Sequence, residues 1–205
     1  MTDERVVVLA THNQGKVVEL QEILGSVLPG VRLIAYDGPE PVEDGDTYAA
    51  NALIKARAAA AHTGLPTLAD DSGIAVDALG GAPGIHSARY AGTRVDDDNI
   101  DLLLQNLSGV VERTASFVCA AAFVVPSGDP GALAEWEHVQ EAVWNGEVLT
   151  ERVGTGGHGY DPVFKPDDAD RSSAELTRAE KNALSHRSKA FRAIAPIVAE
   201  YFGVE

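Results

Sequence analysis

Cysteine is nearly absent. Cys119 stands alone, so no internal disulfide can form. It lies in the apolar run "FVCAAAFVVP", which predicts a buried structural thiol rather than a reactive one. Long hydrophobic stretches are missing too: that run stops far short of the roughly 20 residues a membrane-spanning helix needs. The stretch "MTDERVVVLA" puts acids ahead of a very short apolar run, where a secretory signal needs cations and a longer one, so none is expected. Basic residues are scarce, 16 against 31 acidic, for a formal net charge of −15. A duplex nucleic-acid partner needs a basic footprint, so that class is excluded. A small polyanionic ligand is not excluded, but it would need local cations or a bridging metal. There is no internal repeat, low-complexity tract or linker. The expectation is one domain over residues 1–205, in the cytoplasm, with no membrane and no nucleic acid as partner.

What is present is a chain of 205 residues, 45% hydrophobic, long enough to bury a sizeable core. "RVVVLA" reads as a buried strand, followed by a helix over "VVELQEILGSVL" and a second strand at "VRLIAY". Asp37–Asp46 carries five acids with glycine and proline and reads as a loop. "TYAANALIKARAAAAH" reads as a helix with Thr47 at its cap and Gly64 at its end. "LPTLA" reads as a strand that ends at Asp70-Asp71, beside a turn at Ser72-Gly73. "VDDDNIDLLLQNL" reads as a helix with acids in its first turn, where the helix dipole favours them. "ASFVCAAAFVVP" and "ALAEWEHVQEAVWNGEVL" read as long strands joined at "SGDPG". The segment from Leu176 to Phe202 reads as helical, with Thr177 and Glu180 spaced as a capping box. Strands and helices alternate and a long hairpin follows, which argues for α/β with a mixed sheet.

Four polar islands interrupt the apolar elements. "THNQGK" lies between a strand and a helix, where outward backbone amides and Lys16 suit an anion. It lacks the glycines and Lys-Ser/Thr of a Walker A loop. "ADDSG" and the upstream Glu43 offer carboxylates for a magnesium ion that bridges phosphates, and for taking a proton from water. In "GTGGHGYDPVF" the glycines let backbone approach a flat ligand; Tyr160 or His158 could stack on a base and Asp161 accept from a ring N–H. "EKNALSHRSKA" adds Lys181, His186 and Arg187. Each island has a plain structural reading. Together they are the parts of a nucleoside triphosphate site.

The islands resemble, in order and wording, the inosine triphosphate pyrophosphatase family. The family pattern Ser/Thr-x-Asn-x-x-Lys-x-x-Glu matches "THNQGKVVE". Glu43 and "NALIKA" match its glutamate ahead of an Asn-Ala helix. "ADDSGIAVDALGGAPGIHSARYAG", "GTGGHGYDPVF" and "EKNALSHRSKA" match the rest. The resemblance implies an elongated, two-lobed α/β structure around a long mixed sheet with flanking helices, its active-site cleft between the lobes. It implies magnesium-dependent hydrolysis of dITP, ITP and XTP to the monophosphate and pyrophosphate, and a homodimer. By residue, it implies that Thr11, His12, Asn13, Gln14, Gly15 and Lys16 hold the triphosphate. Asp71 is then the general base and a magnesium ligand, with Glu43 the other ligand, and Ser72 touches the substrate. His158, Gly159, Tyr160 and Asp161 line the base site, and Lys181, His186 and Arg187 close it. The family usually carries Phe where this chain has His158. Two rivals remain at this point: a pyrophosphatase for modified pyrimidine triphosphates, and a nucleotide-sensing module without turnover.

Overall fold

Val6–Leu9 are four apolar residues in succession, and all four are buried in the first strand, β1. Such a run suits a strand covered on both faces. The computed structural model describes residues 5–127 and 134–204. After β1 come α1 (Gln14–Gly25), β2 (Arg32–Ala35), α2 (Tyr48–Thr63), β3 (Thr67–Val76), α3 (Asp96–Asn106), β4 (Thr114–Val125), β5 (Trp136–Val148), β6 (Phe164–Pro166), α4 (Arg178–Leu184) and α5 (His186–Phe202). The sheet order is β2-β1-β3-β4-β5-β6. β1 pairs in parallel with β2 and β3, and β5 pairs antiparallel with β6. The expected α/β class with a mixed sheet is borne out. Most of the "SGDPG" connection lies outside the described residues.

The chain packs as two compact units. The first holds Met1–Asp71, Cys119–Ala142 and Arg187–Glu205; the second holds Ser72–Val118 and Val143–His186. In the first, the period-2 alternation of strands sorts side chains onto two faces. Leu9, Leu68, Cys119, Ala121 and Phe123 pack with Leu20 and Leu24 of α1 and Phe191 and Ile194 of α5. Ala69, Ala120, Ala122 and Val124 pack with Ala52, Ala56 and Ala60 of α2. The alanine stripe lets α2 lie close to the sheet. Thr47 caps α2 by accepting from Ala50 N–H, and Gly64 ends it in the left-handed conformation. Cys119 is buried, and burial pushes its thiol well above the usual range. In the second unit, Ile100 and Leu103 of α3 and Leu107 just after it pack with Ile74, Val76, Phe117, Trp144 and Phe164.

Two boundaries differ from the sequence reading. β3 does not stop at the aspartates but runs ten residues, through Asp70, Asp71, Ser72 and Gly73 to Val76. Gly73 marks close approach rather than a turn: a Cβ there would collide with the Gly84 carbonyl and the Ser87 hydroxyl. Ser87 Oγ accepts from Ile74 N–H at 2.9 Å, so a side chain completes the strand's hydrogen bonding. The last helical segment is broken at the buried, extended Ser185, which separates α4 from α5. Thr177 and Glu180 form the expected capping box on α4.

Candidate active site

Because neighbours on a strand point to opposite faces, Asp70 and Asp71 enter different surroundings. Asp70 points to the α1 and α5 side. Lys16 Nζ lies 3.1 and 3.3 Å from its oxygens, and Arg187 Nε lies 3.3 Å from Oδ2. Arg187 Nη1 also reaches Glu19 at 3.1 Å. Lys16 and Glu19 are three residues apart, on one face of α1. Two acids and two cations thus close a buried, neutral network. Burial alone would raise the Asp70 carboxyl, but Lys16, Arg187 and Lys55 outweigh it and hold it far below the usual range.

Asp71 points to α2. Asn51 Nδ2 donates to Oδ2 at 3.3 Å, and Lys55 Nζ lies 3.1 Å from Oδ1. The same ammonium lies 3.0 Å from Glu43 Oε2, so Glu43 and Asp71 converge on one cation. Asn51 also accepts from Gly45 N–H at 2.9 Å, which ties the acidic loop to α2. Burial pushes the Asp71 carboxyl upward; Glu43 and Asp70 add to this, and Lys55 opposes it. Adjacent carboxylates are therefore driven in opposite directions. One is fixed as an anion; the other is poised to take a proton, as acid–base chemistry requires. Lys55 stays charged: burial disfavours the ammonium, but Asp71, Asp70 and Glu43 override it. Tyr48, on the same helix, has a buried hydroxyl without a hydrogen-bond partner among the described residues, and burial, with Asp71 and Glu141 nearby, pushes it up to about 12.

The donor set suits a hard cation. Among the described residues no cluster of three or more His, Cys, Asp or Glu side chains could hold a metal. Magnesium takes one or two carboxylates and completes its shell with water and substrate phosphates. Glu43 and Asp71, both oxygen donors sharing one ammonium, fit that demand.

The "THNQGK" segment is the entry to α1. Asn13 caps it, its Oδ1 accepting from Lys16 N–H at 3.1 Å, and Thr11 Oγ1 accepts from Asn13 N–H at 3.2 Å. Gln14 and Gly15 are exposed in the first turn. His12 turns to the acidic loop, its Nε2 donating to the Gly38 carbonyl at 2.8 Å.

The glycine-rich loop forms a separate constellation in the second unit. Asp161 is buried and accepts from Ser173 Oγ, from the Lys181 ammonium and, at 2.8 Å, from His158 N–H. Gly157 has φ +74°, and a Cβ there would overlap the Asp161 carboxylate. Gly159 N–H donates to Asp96 Oδ2 at 2.7 Å. His158 is exposed. Tyr160 is only 5% exposed, sits in the core and donates its hydroxyl to the Ser87 carbonyl at 2.8 Å. It is a wall of the loop rather than an open stacking face. His186 is buried and stacked on Phe117, ring centroids 4.7 Å apart.

Burial alone would raise the Asp161 carboxyl, but Lys181, His158 and Ser173 hold it below the ordinary range. A carboxyl depressed in the folded state adds stability that is fully present above its unfolded pKa of about 3.9 and is lost as the pH falls toward the folded value. Urea midpoints followed downward from about pH 6 should therefore fall less steeply below about pH 4 in Asp161→Asn than in the wild type. Equal slopes would remove Asp161 from the acid response.

Of the residues singled out from sequence, Glu43 and Asp71 meet at one ammonium, that of Lys55, with Ser72 next along β3. Lys16 reaches Asp70 rather than Asp71. Arg187 was expected beside His186 at the base site; instead its guanidinium is buried on Asp70 and Glu19, taken there by the helix that begins after the Ser185 break. Sequence reasoning passed over Asn51 and Lys55, although both stand in the quoted "NALIKA", four residues apart and hence on one helix face. It gave no site role to Glu19, Asp96 or Ser173, and read Asp70 only as half of a carboxylate pair.

The mixed sheet and its helices define an α/β protein. Its chain belongs to the Ham1 family, whose model matches residues 7–197. It is 53% identical over 195 residues to a protein of Leifsonia xyli named dITP/XTP pyrophosphatase, covering 94% of each chain. It is similar to the solved structure of a HAM1 protein from Coxiella burnetii, with TM-score 0.83 and 39% identity over 95% of this chain and 98% of that one. It is also similar to the structure of a nucleoside-triphosphatase, or dITP/XTP pyrophosphatase, from Mycobacterium abscessus, with TM-score 0.72 and 42% identity over 93% and 99% of the two chains. The family read from the motifs is thus borne out. No helix among the described residues is long and apolar enough to cross a membrane.

Proposed function

We propose that this protein hydrolyses dITP, XTP and ITP to the monophosphate and pyrophosphate. The observation that carries the reading is the convergence of Asn51 and Lys55 on Asp71, with Glu43 held by the same lysine. Asn51 and Lys55 fix the orientation of this carboxylate, and in this reading it accepts a proton from water. The names of the related proteins from Leifsonia xyli and Mycobacterium abscessus supply the substrate class.

In this reading Asp71 takes a proton from water as the water oxygen bonds to the α-phosphorus. The bond to the oxygen bridging to the β-phosphorus breaks, and pyrophosphate leaves with that electron pair. Lys16, with the exposed amides of Gln14 and Gly15 at the start of α1, receives phosphate oxygens. Thr11, Asn13 and Ser72 add polar contacts. Magnesium held by Glu43 and Asp71 would supply neutralisation of the polyphosphate charge. Positioning and charge neutralisation then carry most of the rate.

Base recognition is assigned to His158 and Lys181. Lys181 spends one ammonium proton on Asp161 and has others to offer a 6-keto oxygen. An adenine 6-amino group brought there leaves that donor unpaired, a penalty of about 1–3 kcal/mol. Two backbone donors of this loop are already engaged: His158 N–H by Asp161 and Gly159 N–H by Asp96. A homodimer in the cytoplasm completes the proposal, on resemblance alone.

A panel of dITP, XTP, ITP, ATP, dGTP and dUTP, each with and without magnesium, tests the reading by product identification. Monophosphate and pyrophosphate from the hypoxanthine and xanthine nucleotides, dependent on magnesium, is the expected result. Diphosphate with orthophosphate, or no preference over ATP, would overturn it.

A further inference from the structure

We infer that Asp96 is a positioning residue for base selectivity, acting through the tip of the glycine-rich loop. This rests on the reading proposed above and deepens it. The loop's other anchors lie within it or downstream of it in the chain. Gly156 N–H donates to the Ala174 carbonyl at 3.1 Å, His158 N–H to Asp161, and Asp161 is itself held by Ser173 and Lys181. The tip residue, Gly159, is held by a side chain from elsewhere: its N–H donates to Asp96 Oδ2 at 2.7 Å. A hydrogen bond to a carboxylate is stronger than one between neutral groups.

The first two turns of α3 hold the segment on both sides. Arg152, two residues ahead of the first glycine, donates to the Asp97 carbonyl at 3.1 Å and pairs with Asp101 at 2.8 Å. Asp96 takes Gly159 further on. Between these holds lie Gly154, Gly156 and Gly157, a stretch with little stiffness of its own. Tyr160, adjacent to the tip, also feels the Asp96 charge, after burial and Tyr90. Asp96 therefore sets where the Gly159 peptide stands, and with it the exposed His158 that precedes it. Without that hold His158 meets the base from a broader range of positions, and discrimination falls because it depends on fixed geometry.

The test compares Asp96→Ala with Asp96→Asn. Both remove the charge in the first turn of α3; only alanine removes the acceptor. The readout is the ratio of kcat/KM for ITP over ATP, with circular dichroism melts alongside. Alanine should lower the ratio by about tenfold, the scale of one charge-assisted hydrogen bond. Asparagine should hold the ratio within about threefold of the wild type, since a neutral acceptor keeps part of that bond. A selective wild type whose alanine variant keeps its ratio overturns this inference alone. An equal loss in both variants also overturns it, by assigning the effect to charge. A wild type that does not distinguish ITP from ATP overturns the parent reading together with this one.

Discussion

Asp71→Asn should cut pyrophosphate release from dITP by about 10²–10⁴-fold, the usual contribution of a positioned general base. Asparagine keeps the shape and can still meet Asn51 through one oxygen, so the strand survives and far-ultraviolet circular dichroism should be unchanged. The case rests on the opposed surroundings of the aspartate pair. Asp70 is committed to Lys16 and Arg187. Asp71 is driven toward protonation by burial and by Glu43 and Asp70, against Lys55. The control is Asp70→Asn, which should lower stability as well as activity. Near-normal turnover in Asp71→Asn, on a folded protein, would take the base role from Asp71.

The second large effect is on stability. Arg187→Ala leaves the buried Asp70 and Glu19 carboxylates short of one cation, and breaking such a network from one side typically costs about 3–5 kcal/mol. Urea unfolding should register that loss. Double replacement with Asp70→Ala should cost less than the two single changes added, because the uncompensated charge is then gone. A single-variant loss below about 1 kcal/mol would mean that the guanidinium exchanges its partners for water without penalty.

Much of the fold could be read from local pattern. Four buried apolar residues mark β1, Thr47 and Gly64 bracket α2, and Thr177 with Glu180 caps α4. These signals lie within a few residues of what they specify. The errors lie where a distant partner decides. Gly73 looks like a turn until Gly84 and Ser87 are packed against it. Arg187 looks like a companion of its neighbour His186, but α5 aims it at Asp70, 117 residues away in the chain. The catalytic candidates Glu43 and Asp71 were legible because their residue types stood in motifs. Asn51 and Lys55, which orient them, stood in a motif without an obvious task. Asp96 has no motif of its own and is recognised only by what it holds.

The Arg187–Glu19 bond joins positions 168 residues apart. It sits at the edge of a core in which Leu9 and Leu20 wait for Phe191 and Ile194. On a translating ribosome, the opening strand and helix have no lid for their apolar side until the last long helix has emerged. Early segments must therefore remain loosely collapsed through most of synthesis, and locking of that core is a late event.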